Sequence, residues 1–198
     1  MSASRINSLG ARIDRTKKVA FNFNGRSYSG FAGDTLASAL LAAGESVLSH
    51  SWKYHRPRGI ITSGIEEPSA LVQLESGKDT IPNAKMPEVE LYEGLNSEAV
   101  NAWPNALSRA LSLNRNFSFL FPAGFYYKTF MWPAKAWMFY ERIIRKSGGL
   151  GASPEVEDTA RYIHQNTHCD VLVAGGGVAG LAAALAAGRG GARVILAE

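Results

Sequence analysis

Val19, Phe21 and Phe23 alternate with less apolar neighbours, the period of a strand with one buried face. Asn24-Gly25 follows at once, and both residue types tolerate positive φ. The pair therefore predicts a hairpin returning through 26–31. Asp34 then stands as the expected N-cap of a helix whose Leu36, Ala39, Leu40 and Ala43 share one face, with Gly44 closing it. A long loop over 46–63 and a strand around Leu71–Leu74 follow. Hairpin, helix, long loop and strand, in that order, predict a β-grasp domain.

Residues 88–92 read as a further strand, with Gly94 and Trp103-Pro104 as breakers. Between Phe117 and Tyr140, eleven of 24 positions are Phe, Tyr or Trp. Such density is costly to leave in water, so it predicts a layer joining two domains or two subunits, or the wall of a flavin or substrate pocket. Ser147-Gly148-Gly149-Leu150-Gly151 reads as a hinge. Ser153-Pro154-Glu155, with Glu157 and Asp158 behind it, has the signature of a helix start.

The last segment carries the clearest chemistry. Asp170-Val171-Leu172-Val173-Ala174 predicts a short buried strand, followed by Gly175-Gly176-Gly177-Val178-Ala179-Gly180 and a helix over 178–187. Glycines 175, 177 and 180 fit G-x-G-x-x-G. Gly191 turns the chain into a second strand that ends on Glu198, 18 residues after Gly180. In that pattern Gly175 permits the tight turn, Gly177 lets the backbone approach a pyrophosphate, and Gly180, with Ala184, allows close helix–strand packing. The helix start offers free N–H groups, and a carboxylate at 198 would accept ribose hydroxyls and repel a 2′-phosphate. The motif predicts binding of NAD or FAD and disfavours NADP. Two strands alone leave bare sheet edges, so the chain is expected to be the N-terminal piece of a longer protein.

Composition narrows the alternatives. The chain has 198 residues, of which 46% are hydrophobic and 19% charged, as in a soluble globular protein. Its net charge of +4 is uneven: residues 1–60 carry +6 and residues 151–198 carry −2. No long basic run or zinc-finger spacing accompanies that excess, so nucleic-acid binding is not expected. Cys169 is the single cysteine, which excludes an intrachain disulfide, a Cys-rich zinc site and a four-cysteine iron–sulfur cluster, and fits a cytoplasmic setting. His164, His168 and Cys169 lack a further ligand and read as the run-in to the strand, so no metal site is expected. Val171 to Gly188 is uncharged but holds five glycines, and no membrane span is expected. Lys53, His55, Arg56 and Arg58 fall within six residues, stiffened by Pro57, and form a candidate anion clamp or subunit-facing loop. No nucleophile motif or paired carboxylate suggests a catalytic residue.

Several strings share a resemblance: GDTLASALLA at 33–42, SWKYHRPRGI at 51–60, EEPSALV at 66–72, PAGFYYKTFM at 122–131 and the 170–198 fingerprint. Together they resemble the start of the alpha subunit of heterotetrameric sarcosine oxidase, over nearly all of 10–198. The resemblance implies a 2Fe-2S-ferredoxin-like β-grasp domain followed by an incomplete Rossmann-type β-α-β unit, an α+β then α/β chain. With residues 1–16, which lack an apolar face, read as a flexible arm, the expected organisation is a β-grasp domain at 17–110, an aromatic connecting segment at 111–152 and the dinucleotide-binding domain over 153–198. The resemblance further implies NAD at Gly175, Gly176, Gly177, Val178, Ala179, Gly180 and Glu198, and FAD and FMN on a beta subunit. Gamma and delta subunits complete a complex that demethylates sarcosine to glycine with O₂ and tetrahydrofolate. Related amine or opine dehydrogenase subunits carry cysteine ligands where this chain has Ser49-His50-Ser51-Trp52, so no iron–sulfur cluster is expected. The nearest alternative is a subunit of a related amine or opine dehydrogenase with FAD at the glycine fingerprint, and a non-catalytic interaction module is the reading from a different class.

Overall fold

The computed structural model describes residues 5, 6, 8–10, 12–51, 53–100, 119, 123, 124 and 132–198. Half of the aromatic run between Phe117 and Tyr140 lies outside the described residues, and so does its expected role as a joining layer or pocket wall. The chain divides into two units, Met1–Asp158 and Thr159–Glu198.

The first unit is α+β. β1 (Asp14–Phe23) and β2 (Arg26–Ala32) form the expected hairpin, with Phe23 opposite Arg26 and both turn residues, Asn24 and Gly25, at positive φ. Helix α1 (Leu36–Ala42) follows, then the short pair β3 (Ser49–His50) and β4 (Pro57–Arg58) inside the long loop. β5 (Leu71–Leu74), β6 (Ile81–Lys85) and β7 (Asn96–Ala99) complete a five-stranded sheet of order β2-β1-β7-β5-β6. β7 lies parallel to β1 at its centre, and the other pairings are antiparallel. That central parallel pair, with α1 between hairpin and later strands, is the β-grasp order. Phe21, Phe23, Leu36, Leu40, Leu48, Val72, Met86 and Leu95 are buried together as the core. Each such side chain contributes about 1.5–3 kcal/mol by leaving water.

Helix α1 corrects one expectation. Its N-cap is Thr35, not Asp34. The Thr35 hydroxyl accepts from the Ser38 N–H while the Ser38 hydroxyl accepts from the Thr35 N–H, a reciprocal cap. Asp34, one residue earlier, is buried and accepts both Arg5 guanidinium N–H groups (2.9 and 2.8 Å), the Ser38 hydroxyl and the Phe31 N–H. Burial pushes the Asp34 carboxyl up, but Arg5, Ser38 and Phe31 outweigh it and hold the group below its ordinary range. Arg5, in the segment expected as a flexible arm, is thereby tied to the domain. At the other end Gly44 (φ +89) donates to Leu41 O and Glu45 to Leu40 O, the double closure that a left-handed glycine permits.

Two further expectations fail locally. Residues 88–92 form no strand: a 3-10 turn over Met86–Glu88 leads into a single bridge between Thr35 and Glu90. Leu36 N donates to Val89 O and Leu91 N to Asp34 O, so this stretch latches onto the start of α1 while Val89 and Leu91 enter the core. Its alternation is real, but its partner is a helix terminus and not a sheet. The helix expected at Ser153 is also absent, since residues 151–169 hold no helix. Good capping residues do not make a helix by themselves: Val156, Ala160 and Ile163 would share one face, but Val156 and Ile163 are 58% and 84% exposed and no packing holds such a face. Helix α2 (Trp137–Gly148) instead precedes it and stops at Gly149, φ +75.

In the second unit β8 (Val171–Ala174) and β9 (Val194–Ala197) pair in parallel, in the order strand, helix α3 (Val178–Arg189), strand. No helix among the described residues is long and apolar enough to cross a membrane.

Candidate functional site

Parallel pairing of β8 with β9 brings the two ends of the glycine motif together. Gly175, at φ +100, donates its N–H to Ala197 O at 2.7 Å, so the turn leaves the sheet beside the last strand. Gly176 N–H donates to the Glu198 carboxylate. Gly177 is the N-cap of α3 and uses no side-chain cap. The first-turn N–H groups, Val178 and Ala179 among them, therefore have no acceptor within the helix. A Cβ at Gly177 would meet nothing within 4 Å, whereas one at Gly180 would overlap the Gly175 carbonyl oxygen and stand 3.3 Å from Val173 Cγ1. Gly180 is thus required for packing, and Gly177 borders open space. At the opposite end Asp170 braces the strands by exchanging bonds with Arg193: Asp170 N to Arg193 O at 2.9 Å and Arg193 N to Asp170 Oδ2 at 2.7 Å.

This donor set fits a dinucleotide. The helix N-terminus and loop amides have the donor chemistry that suits a pyrophosphate, and the Glu198 carboxylate lies against the same loop. Val178 is 88% exposed at the mouth of that space.

The second candidate group lies in the first unit. The β3–β4 hairpin is closed by Leu48 N to Arg58 O (2.9 Å), Ser51 N to Arg56 O (2.9 Å), His55 N to Ser51 O (2.8 Å) and Arg56 N to Ser51 Oγ (3.0 Å). Lys53 Nζ lies 5.2 Å and Arg56 Cζ 4.7 Å from the Tyr54 ring centroid. His55 stacks on His50 at 4.1 Å, and burial followed by His55 lowers the affinity of His50 for a proton. Arg58 donates to Ser69 Oγ at 3.3 Å. Lys53 and Arg56 thus share the Tyr54 ring, while Arg58 is engaged by Ser69 and the His55 ring by His50.

Glu67, which its sequence context marks only as part of the EEPSALV string, organises this region. Glu67 is 1% exposed, and its carboxylate accepts four backbone N–H groups: Ile61 and Thr62 on Oε2, both at 2.8 Å, and Ser69 and Ala70 on Oε1, at 2.8 and 3.1 Å. Burial pushes its carboxyl up, and the four donors outweigh that and lower it. Its signal was only the pairing of an acid with Pro68 in a loop, which does not distinguish a buried carboxylate from an exposed one. Among the described residues no three His, Cys, Asp or Glu side chains come together, His164, His168 and Cys169 included.

Residues 16–101 match a family model described as a 2Fe-2S iron-sulfur cluster binding domain. These residues contain no cysteine, so they do not fit such a cluster. The chain is 49% identical, over its entire length, to a sarcosine oxidase subunit alpha from Rhizobium meliloti (strain 1021), of which it spans 20%. It is 33% identical over 98% of its length to that of Corynebacterium sp. (strain U-96), spanning 15% of it, and 34% identical over 96% to that of strain P-1, again spanning 15%. A crystal structure of L-proline dehydrogenase from P. horikoshii aligns with 43% of the chain and 16% of its own at 26% identity, with a TM-score of 0.32, too low to bear on the fold. Along its whole length the chain is a homologue of sarcosine oxidase alpha subunits, with a ferredoxin-like domain at its N-terminal end.

Proposed function

We propose that this chain forms part of the alpha subunit of a sarcosine-oxidising, multi-subunit complex and holds NAD at Gly175–Gly180 and Glu198. The observation that carries the NAD site is the meeting of Glu198 with the Gly176 amide beside an uncapped helix N-terminus. When bound, NAD supplies a nicotinamide that accepts or gives a hydride. The chain's own residues bind and orient. Gly177 to Gly180 offer amides to the pyrophosphate, Gly177 leaves it room, and Glu198, held by the Gly176 amide, takes the adenosine ribose hydroxyls while repelling a 2′-phosphate. No residue of this chain is assigned to the oxidation of the amine, which in this reading belongs to a flavin-bearing beta subunit. Gamma and delta subunits and tetrahydrofolate complete the same reading.

A Glu198→Ala substitution in the purified complex tests it. Losing two charge-assisted hydrogen bonds is expected to weaken NAD about tenfold or more and to narrow the preference for NAD over NADP. NAD affinity unchanged in the variant, or FAD extracted from this site in the wild type, overturns the assignment.

A further inference from the structure

We propose that the β3–β4 hairpin is a docking element that seats a carboxylate-rich polypeptide face of a partner subunit. The inference rests on the multi-subunit reading above and assigns a place to one of its contacts.

Charge is the first observation. Between Glu45 and Glu66 the sequence holds Lys53, Arg56 and Arg58 and no acid. Among the described residues, ion pairs join Arg5 to Asp34, Lys17 to Asp14 and Arg145 to Glu141, and none neutralises the three cations of the hairpin. Shape is the second. Lys53 and Arg56 both lie against Tyr54, which is 37% exposed, while Arg58 is held lower down by Ser69. Three cations within six residues of one short hairpin, two of them beside a partly exposed aromatic ring, match an acidic protein surface. Tyr and Arg are also the residue types that most often carry interface energy.

Rigidity is the third observation. Four hydrogen bonds close the hairpin, His55 stacks on His50, and Arg58 ties it to Ser69, whose N–H is held by Glu67. Leu48, fully buried, roots its first strand in the core. The ordering cost of docking is thereby met in folding, which a mobile basic loop would not achieve. Arg56, with its Cζ 4.7 Å from the Tyr54 centroid, is the side chain suited to a bidentate carboxylate.

The test is a Lys53→Glu/Arg56→Glu variant of the full protein expressed with its partner subunits, compared with wild type by sedimentation velocity across a salt series. Wild-type association is expected to weaken as salt rises, and the variant to associate at least about tenfold more weakly at low salt with little salt dependence. NAD content and thermal midpoint, read on the same samples, are expected to stay at wild-type values because both substituted side chains lie outside the core. A variant that assembles as the wild type does overturns the proposal. So does one that assembles normally but no longer binds inorganic phosphate or flavin, since the hairpin would then be a small-anion site. If the wild-type chain co-purifies with no other polypeptide at any salt, the multi-subunit reading beneath the proposal fails instead.

Discussion

A Gly180→Ala variant is expected to lose NAD binding by about 100-fold or more. The new Cβ would overlap the Gly175 carbonyl oxygen, and Val173 Cγ1 stands 3.3 Å behind it. Neither neighbour is the free end of a flexible side chain. Either the turn or the first turn of α3 must shift, and the amides proposed to face the pyrophosphate shift with it. A misplacement on the order of 1 Å suffices to cost that factor. Gly177→Ala is the companion substitution, because its Cβ enters open space at an ordinary φ of −62. It is expected to leave the thermal midpoint within a few degrees and still weaken NAD by filling the space beside the pyrophosphate. Titration calorimetry and melting of both variants check the pair. Equal affinities for Gly180→Ala and wild type would mean that this turn is not where the dinucleotide sits.

Replacing Glu67 with Gln is expected to destabilise the first unit by about 3 kcal/mol, because the amide end presents donors to two backbone N–H donors and leaves both unsatisfied. For a domain of this size that is a fall of about 15 °C in midpoint. The same carboxylate sets a pH dependence. Its folded-state proton affinity is lowered from the ordinary value of 4.5, and that of buried Asp34 from 3.8. The unfolded chain therefore binds more protons than the folded one in acid. The stability these groups contribute is present above pH about 4.5 and is lost as pH falls through their folded-state values. Denaturant melts at pH 7 and pH 3.5 are expected to differ clearly in wild type and less in Glu67→Gln. A variant as stable as wild type at pH 7 would show that the four N–H groups find other acceptors.

The way Glu67 is used explains the part of the fold that the sequence hides. Positions governed by local chemistry were legible: the Asn24-Gly25 hairpin, the Gly44 closure of α1, the strand at Leu71–Leu74 and the strand–glycine loop–helix order of the last unit. Each is dictated by a φ requirement or an apolar period within a few residues. β7 was not legible, because Asn-Ser-Glu-Ala has no apolar alternation and becomes a strand only through its neighbours β1 and β5. Asp34 and Glu67 look like surface acids until long-range folding brings Arg5 to one and four backbone amides to the other. The glycine motif and Glu198 were legible because their spacing is set by one β-α-β repeat. The arrangement of Lys53, Arg56 and Arg58 was not, since their identity as cations says nothing of whether they converge.

The central claim is that Gly175–Gly180 and Glu198 hold NAD in a multi-subunit oxidoreductase. Native mass spectrometry of the complex purified from its source, with the released cofactors identified, tests it most directly. The expected result is an assembly of several different subunits that releases one NAD per copy of this chain, with flavin accounted for by another subunit. An intact assembly that releases flavin but no NAD, or this chain alone without a dinucleotide, would contradict it.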